Sequence, residues 1–331
     1  MDTLLESPVR PATDDSTPVN RNPVRRSARR SASPLRIGLV NNMPDSALVA
    51  TERQFSRLVH GAIPGPLSLQ LFHIPAVPRQ DEARAILAAR YRPVSELYRN
   101  RLDALIITGN EPRAAHLDDE PYWKDITALI DWAAENTQTT LLSCLAAHAA
   151  VLHLDGIQRQ RLTAKKSGVL TCIVNSGSSR HLPGQLATCH SRLNEVRRES
   201  LTQAGYTIVS EAGGGHVDIF SRSLRSDFVF LQGHPEYDAD SLMREYRRDV
   251  GRYLNGQRDT YPEVPENYFD HHTVLRMENF RTLAERSRDP RLFDCFPETA
   301  LRNGLEARLS ASAAAVFEHW LASVKAQVTA A

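Results

Sequence analysis

Between residues 35 and 154 the chain repeats one pattern, a short apolar run and then an amphipathic stretch, and that alternation restricts the fold more than any other feature. Residues 35–40 form an apolar run stopped by Asn41 and Asn42, and residues 46–58 then set Ala47, Ala50, Phe55 and Leu58 near helical spacing. Residues 67–74 alternate, with Leu67, Leu69, Leu71 and His73 on one face, and predict a second strand. Residues 103–108, closed by Gly109, predict a third. Residues 122–135 predict a helix with Ile126, Leu129, Ile130 and Ala133 on one side. Residues 139–143 predict a fourth strand and lead directly into an alanine-rich helix over 145–154. Strands that alternate with helices form a parallel sheet covered on both faces, because each crossover helix buries its apolar stripe against the strands. Residues 207–210, 216–220 and 228–231 follow one another closely, with Gly213, Gly214 and Gly215 as a turn, so part of the sheet is expected to be antiparallel. Residues 240–253 and 307–324 read as two further helices. The fold class is therefore α/β, a mostly parallel doubly wound sheet with a helical C-terminal extension.

Three segments are expected: a disordered tail over 1–34, a main domain over 35–260, and a helical extension over 261–331 that packs on it. The tail is rich in Pro, Ser, Thr and Arg, with Leu4 and Leu5 as its main large apolar side chains, too few to offset the entropy of ordering. Its cluster of Arg25, Arg26, Arg29 and Arg30 reads as a solvated charge run. Over the whole chain 40 basic residues face 39 acidic ones, which gives no electrostatic reason for a nucleic-acid or membrane partner. No apolar run approaches the roughly 18 residues that a membrane crossing needs. None of Cys144, Cys172, Cys189 and Cys295 sits in a CxxC pair, so neither a metal site nor a disulfide framework is signalled. A reducing, cytoplasmic setting with no cofactor is the expectation.

Chemistry concentrates at two strand ends. Cys144 stands where the fourth strand meets its helix, in Leu141-Leu142-Ser143-Cys144-Leu145-Ala146-Ala147. A helix N-terminus favours an anionic nucleophile, and its free N–H groups can bind a developing oxyanion. Small residues after the nucleophile allow a tight turn, although the flanking glycines of G-x-S-x-G are missing. Alone, the motif also fits a buried structural cysteine. The second strand end is Phe228-Val229-Phe230-Leu231-Gln232-Gly233-His234-Pro235-Glu236. Sites in such sheets lie at the carboxyl ends of strands. There His234 can accept a proton from a thiol or hydroxyl, and Glu236 can orient the ring and stabilise imidazolium.

Residues 141–148 and 232–236 resemble the class I glutamine-amidotransferase-like (flavodoxin-like) fold. Other segments narrow the match to the homoserine O-acyltransferases of that fold: Asn41-Asn42-Met43-Pro44, Thr51-Glu52-Arg53-Gln54-Phe55, Ile107-Thr108-Gly109 with Tyr122-Trp123, Lys165-Lys166-Ser167-Gly168, His190-Ser191-Arg192, and Gly233 to Asp249. The resemblance runs in order over roughly residues 36–255, and Phe317-Glu318-His319-Trp320-Leu321 is similar to the family's terminal helix. It implies a ping-pong transfer in methionine biosynthesis: Cys144 takes an acyl group from acyl-CoA, a co-substrate, and His234, oriented by Glu236, deprotonates the hydroxyl of L-homoserine. It also implies Lys165, Ser191 and Arg248 as substrate contacts, and a homodimer. Arg248 suits an amino-acid carboxylate, though spacing alone also fits a solvated helix charge. The family position that bears on the acyl donor is Arg113 here. A glutamate there goes with acetyl transfer and would repel a succinyl carboxylate, whereas an arginine could pair with it, so succinyl is favoured. Arg113 pointing to solvent, or Glu111 entering the site, are the other readings of that loop. A glutaminase or amide hydrolase using the same Cys, His and Glu is the alternative function.

Overall fold

A computed structural model describes residues 34–177 and 181–330. The elements run β1 (Leu35–Val40), α1 (Asp45–Ala62), β2 (Leu67–His73), α2 (Asp81–Arg90), β3 (Arg92–Pro93), α3 (Val94–Leu97), β4 (Ala104–Ile107), α4 (Trp123–Asn136), β5 (Thr139–Ser143) and α5 (Leu145–Asp155). Then follow β6 (Gln160–Val174), β7 (Gln185–Glu195), α6 (Arg198–Gln203), β8 (Thr207–Ala212), β9 (His216–Ser223), β10 (Asp227–Leu231), α7 (Ser241–Leu254), α8 (His271–Ser287) and α9 (Leu305–Ala330).

Among the described residues the strands form one sheet in the order β3-β2-β1-β4-β5-β10-β9-β8-β6-β7. The six from β3 to β10 are mutually parallel, and β9, β8, β6 and β7 continue the sheet in antiparallel pairs. The parallel part is buried on both sides, which is why β1 and β4 read as apolar runs rather than alternating ones. Val40, Phe72, Leu105, Ile107 and Leu142 point to the face covered by α4 and α5. Leu35, Ile37, Leu39, Ala104, Ile106 and Leu141 point to the opposite face, under α1 and α9. Phe317 of α9 meets Phe55 of α1 edge-on, with centroids 6.0 Å apart. Trp320 Nε1 donates to Thr139 Oγ1 at 3.2 Å, so the last helix ties to the start of the strand that carries Cys144. Helices α7 and α8 build a separate cluster on Tyr246, Val250, Tyr268, Phe269, Met277 and Phe280.

The mostly parallel doubly wound sheet matches the sequence expectation, with additions: the short elements α2, β3, α3 and α6, and two larger ones. The β6–β7 hairpin was not marked by the pattern, because the first half of β6 is polar and largely exposed. Helix α8 was missed as well, since its apolar residues do not gather into a clear stripe. The tail expected over 1–34 lies, apart from Pro34, outside the described residues.

The site follows from the strand order. β5 and β10 are parallel neighbours, paired up to Ser143↔Leu231, so their carboxyl ends open side by side. Cys144 follows one end and His234 the other.

Candidate active site

Cys144 takes φ 50 and ψ −107, one of a few non-glycine residues with positive φ. Such a conformation costs of order 1–3 kcal/mol and persists where surrounding structure imposes it. Here the Cys144 N–H donates to Leu231 O at 2.7 Å, clamping the turn to the adjacent strand, while Cys144 O accepts from His148 N at 3.2 Å in the first turn of α5. The sharp turn leaves the sulfur half-exposed at the helix N-terminus. Gly109 closes the other side: a Cβ there would lie 2.8 Å from Leu145 N and Leu145 Cβ, so only glycine lets the β4 turn abut the start of α5.

His234 is buried and donates from Nδ1 to Glu236 Oε1 at 2.8 Å. Ser143 Oγ donates to the same carboxylate oxygen at 3.2 Å, which fixes the acid against the end of β5. This leaves the other ring nitrogen of His234 to pair with the Cys144 sulfur. Burial pushes the His234 pKa down, but the Glu236 carboxylate and the charge of a Cys144 thiolate outweigh it and hold the ring well above the ordinary imidazole value. Tyr237 stacks on the ring, centroids 4.3 Å apart and planes at 18°. The His234 N–H donates to Cys189 O at 2.7 Å, so β7 supports the backbone from behind. An imidazole oriented by an acid, facing a strained cysteine at a helix start, is an arrangement for nucleophilic attack and proton transfer.

Beside it lies a ring of charge. Lys165 Nζ is 3.4 Å from Glu245 Oε2 and 3.0 Å from Asp249 Oδ2. Ser191 Oγ donates to Glu245 Oε2, and Tyr237 Oη donates to Glu245 Oε1 at 2.6 Å. Arg248 reaches Asp249 Oδ1 at 3.1 Å through Nη2. Burial raises the Glu245 pKa, but Lys165 and the Ser191 and Tyr237 hydroxyls reverse it and keep the carboxylate ionised. Lys165 reaches in because β6 and β7 shift register between Arg161 and Lys166. A bulge of this kind re-aims a side chain.

The structure thus brings Cys144, His234 and Glu236 together, and sets Lys165, Ser191 and Arg248 on the adjoining ring. Arg113 is different. Its side chain is exposed, while its N–H, with that of Ala114, donates to Glu120 Oε1 at 2.5 and 2.7 Å. Glu111 is exposed as well and pairs with Arg252 at 3.4 Å. Sequence reading missed Glu245 and Tyr237. Glu245 had a signal, since it lies three and four residues before Arg248 and Asp249 and so shares their face of α7.

A second group, Cys172, His190 and Asp218, brings its ligand-capable atoms within 4.8 Å of one another, sealed from solvent. Arg192 Nη1 abuts His190 Nδ1, and an arginine can only donate. The ring proton is therefore on Nε2, 3.3 Å from Asp218 Oδ1, where a metal would need a lone pair. Burial lowers the His190 pKa to about 4, keeping the ring neutral. The group lies directly behind Gly233: a Cβ there would be 2.4 Å from Asp218 Oδ1 and 2.6 Å from Thr188 Cγ2.

The family model described as homoserine O-succinyltransferase matches residues 16–331, a wider span than the 36–255 over which the motifs ran. A homoserine O-succinyltransferase of Rhodopseudomonas palustris is 47% identical over 310 residues, covering 93% of this chain and 92% of its own length. One from Methylorubrum extorquens is 46% identical over 300 residues, covering 90% of this chain and 89% of its own. A solved glutamine amido transferase from Methylobacillus flagellatus, 15% identical, superposes with a TM-score of 0.51, covering 88% of this chain and 94% of its own. That last likeness concerns the fold alone.

Proposed function

The chain belongs to the homoserine O-succinyltransferase family, and from that premise we propose that it moves a succinyl group from succinyl-CoA to the hydroxyl of L-homoserine, in methionine biosynthesis, through a thioester on Cys144. The observation that carries the reading is the geometry of Cys144, strained onto a helix N-terminus and facing a buried histidine whose other nitrogen is held by Glu236 at 2.8 Å.

The steps follow from that geometry. The Cys144 thiolate attacks the thioester carbonyl of the donor. The oxyanion is met by the Leu145 N–H, a first-turn donor without an intrahelical acceptor, at the place where Gly109 makes room. Coenzyme A leaves as its thiol, taking the proton from His234, and the acyl group stays on sulfur. The homoserine hydroxyl then attacks the new thioester and gives its proton to His234. Collapse releases O-succinylhomoserine and restores the thiolate. Glu236 keeps the ring in one tautomer throughout and stabilises its charged form.

The adjoining ring suits an amino acid. Arg248 offers a guanidinium fork to the α-carboxylate, and Glu245 offers a carboxylate to the ammonium. Lys165 and Ser191 hold Glu245 in place. Arg113, at the family's donor-selecting position, is exposed, and its charge favours an anionic donor.

Incubation with succinyl-CoA in the absence of homoserine, followed by intact mass and peptide mapping, tests the reading. A succinyl adduct on Cys144, discharged by homoserine and absent from Cys144→Ser, is expected. An adduct mapped to Cys172, Cys189 or Cys295 overturns the assignment, and glutamine hydrolysis without acylation favours an amide hydrolase.

A further inference from the structure

Arg159 is the cation near the nucleophile that the mechanism above leaves unused. It lies between the end of α5 and the start of β6 and is half-buried. Among the described residues its side chain forms no hydrogen bond and no ion pair, unlike Lys165, Arg192, Arg248 and Arg252, each of which meets a carboxylate, and Arg161 beside it, also unpaired, is exposed to water. The charges of Tyr122, Cys144 and Glu120 act on it, and its own acts on Tyr122 and on His148, one turn into the helix that Cys144 begins. Glu120 does not satisfy it: that carboxylate lies beyond ion-pair distance, and its Oε1 already accepts from Arg113 N and Ala114 N. The Tyr122 hydroxyl, buried in the same corner, makes no hydrogen bond.

A guanidinium drawn partly out of water without a counter-ion is costly, and the cost is removed when an anion arrives to pair with it. The corner holds two donor groups without a hydrogen-bond partner, Arg159 and Tyr122, the latter beside Glu120 and Asn110. In the amino-acid ring built on Glu245 and Asp249, by contrast, Lys165, Arg248, Arg252 and Arg258 each reach a carboxylate directly. A donor whose acyl chain ends in a carboxylate has one more anionic group than a plain acyl chain, and an arginine fork binds a carboxylate through two parallel bonds.

We infer that Arg159 is the anchor for the distal carboxylate of a dicarboxylic acyl donor, with the Tyr122 hydroxyl as its auxiliary donor, so that selection of a four-carbon diacid is made beside Cys144 as well as at Arg113. The inference rests on the acyltransferase reading. It assigns Arg159 the acyl end of the donor, not the phosphates of coenzyme A, which every CoA thioester shares.

The test compares kcat/KM for succinyl-CoA and acetyl-CoA in the full chain, with acylation of Cys144 followed by intact mass. Arg159→Gln should lower the succinyl-to-acetyl ratio about 10–100-fold, the range for a charge-assisted contact worth about 1.5–3 kcal/mol. Arg159→Lys, which keeps the charge but not the fork, should recover part of it and guards against a variant that simply folds poorly. Arg113→Ala, at an exposed side chain, should move the ratio less. If Arg159→Gln lowers both donors equally, the guanidinium serves the coenzyme or the fold and the assignment is wrong. An unchanged ratio also overturns it. Should the wild-type protein form no Cys144 adduct with either donor, the acyltransferase reading itself fails, a result distinct from a normal adduct with an unmoved ratio.

Discussion

Cys144, His234 and Glu236 lie where β5 and β10 open; Cys172, His190 and Asp218 lie sealed behind Gly233, and the two groups share nearly the same residue types. They differ in what faces Nδ1 of the histidine. At His234 it is an acceptor, Glu236 Oε1 at 2.8 Å, so the other nitrogen can take up and release a proton toward sulfur. At His190 it is a donor, Arg192, so the ring stays neutral with its one proton on Nε2, 3.3 Å from Asp218 Oδ1. Burial works on both rings, but only at His234 do a carboxylate and a thiolate outweigh it. The sulfurs diverge too. Burial and the Asp218 charge push the Cys172 thiol far above its ordinary range, whereas Cys144 is turned outward on a strained backbone. A cysteine, a histidine and an acid therefore do not make a nucleophile by proximity. The backbone turn and the second partner of the ring decide it.

The sharpest way to break the comparison is to remove each histidine in turn. His234→Ala should cost about 10²–10⁴-fold in kcat, the usual loss for a general base, a far larger effect than its loss of stability. His190→Gln should do the reverse, lowering stability by about 1–3 kcal/mol because Asp218 and Arg192 lose a buried partner, while turnover stays within about tenfold. Steady-state rates and denaturant melts on both variants read this directly. Equal catalytic losses would mean that the sealed group is part of the machinery.

Most of the open group could be read from the chain, and little of the sealed one. Cys144, His234 and Glu236 each follow an apolar run, and strand ends are where sites in such sheets are built, so position and residue type agreed. Cys172 and His190 lie within β6 and β7, a hairpin whose outer half is polar, and no turn or helix start marks them. Asp218, in the middle of β9, looks like any polar strand residue until the fold brings three strands together. Arg159 was unmarked for another reason: it stands in a connection, and a cation gains meaning only when its surroundings turn out to hold no carboxylate in reach. Arg113 shows the opposite limit. Its register could be counted from the flanking motifs, but that its side chain stays exposed while its N–H meets Glu120 is tertiary information.

Gly233 lies between the two groups, and filling it should disturb the open one through the sealed one. A methyl group there meets Asp218 Oδ1 at 2.4 Å and His190 Cε1 at 2.9 Å, neither on a flexible chain end, so the backbone that carries His234 must move. Overpacking of this kind costs about 1–3 kcal/mol, and a shift of His234 by a fraction of an ångström should lower kcat by about 10–100-fold. Adding Asp218→Asn should not restore the rate, because the clash is steric, whereas Asp218→Ala should restore part of it. A Gly233→Ala variant with wild-type kcat would show that the two groups are mechanically independent.

The smallest effect separates the groups by the sign of a slope. His234 has a folded pKa above the 6.5 of an unfolded histidine, so the folded state binds the extra proton. Its contribution to stability is complete below the unfolded value and is lost as pH rises through the folded one. His190 has a folded pKa of about 4, below the same 6.5, so the unfolded state binds the extra proton. Its neutral ring is tolerated above the unfolded value, and stability falls as pH drops from there toward the folded one. Each slope is at most about 1.4 kcal/mol per pH unit for one proton. Denaturant melts across the acid and alkaline limbs, on wild type, His234→Gln and His190→Gln, should show the alkaline slope flattened in the first variant and the acid slope flattened in the second. Repeating the His234 series on Cys144→Ala removes the titration of the thiol itself, and the Glu236 carboxylate should still leave part of the alkaline slope. If both histidines act on the same limb, the ring facing Glu236 and the ring facing Arg192 are not the opposites that their neighbours make them.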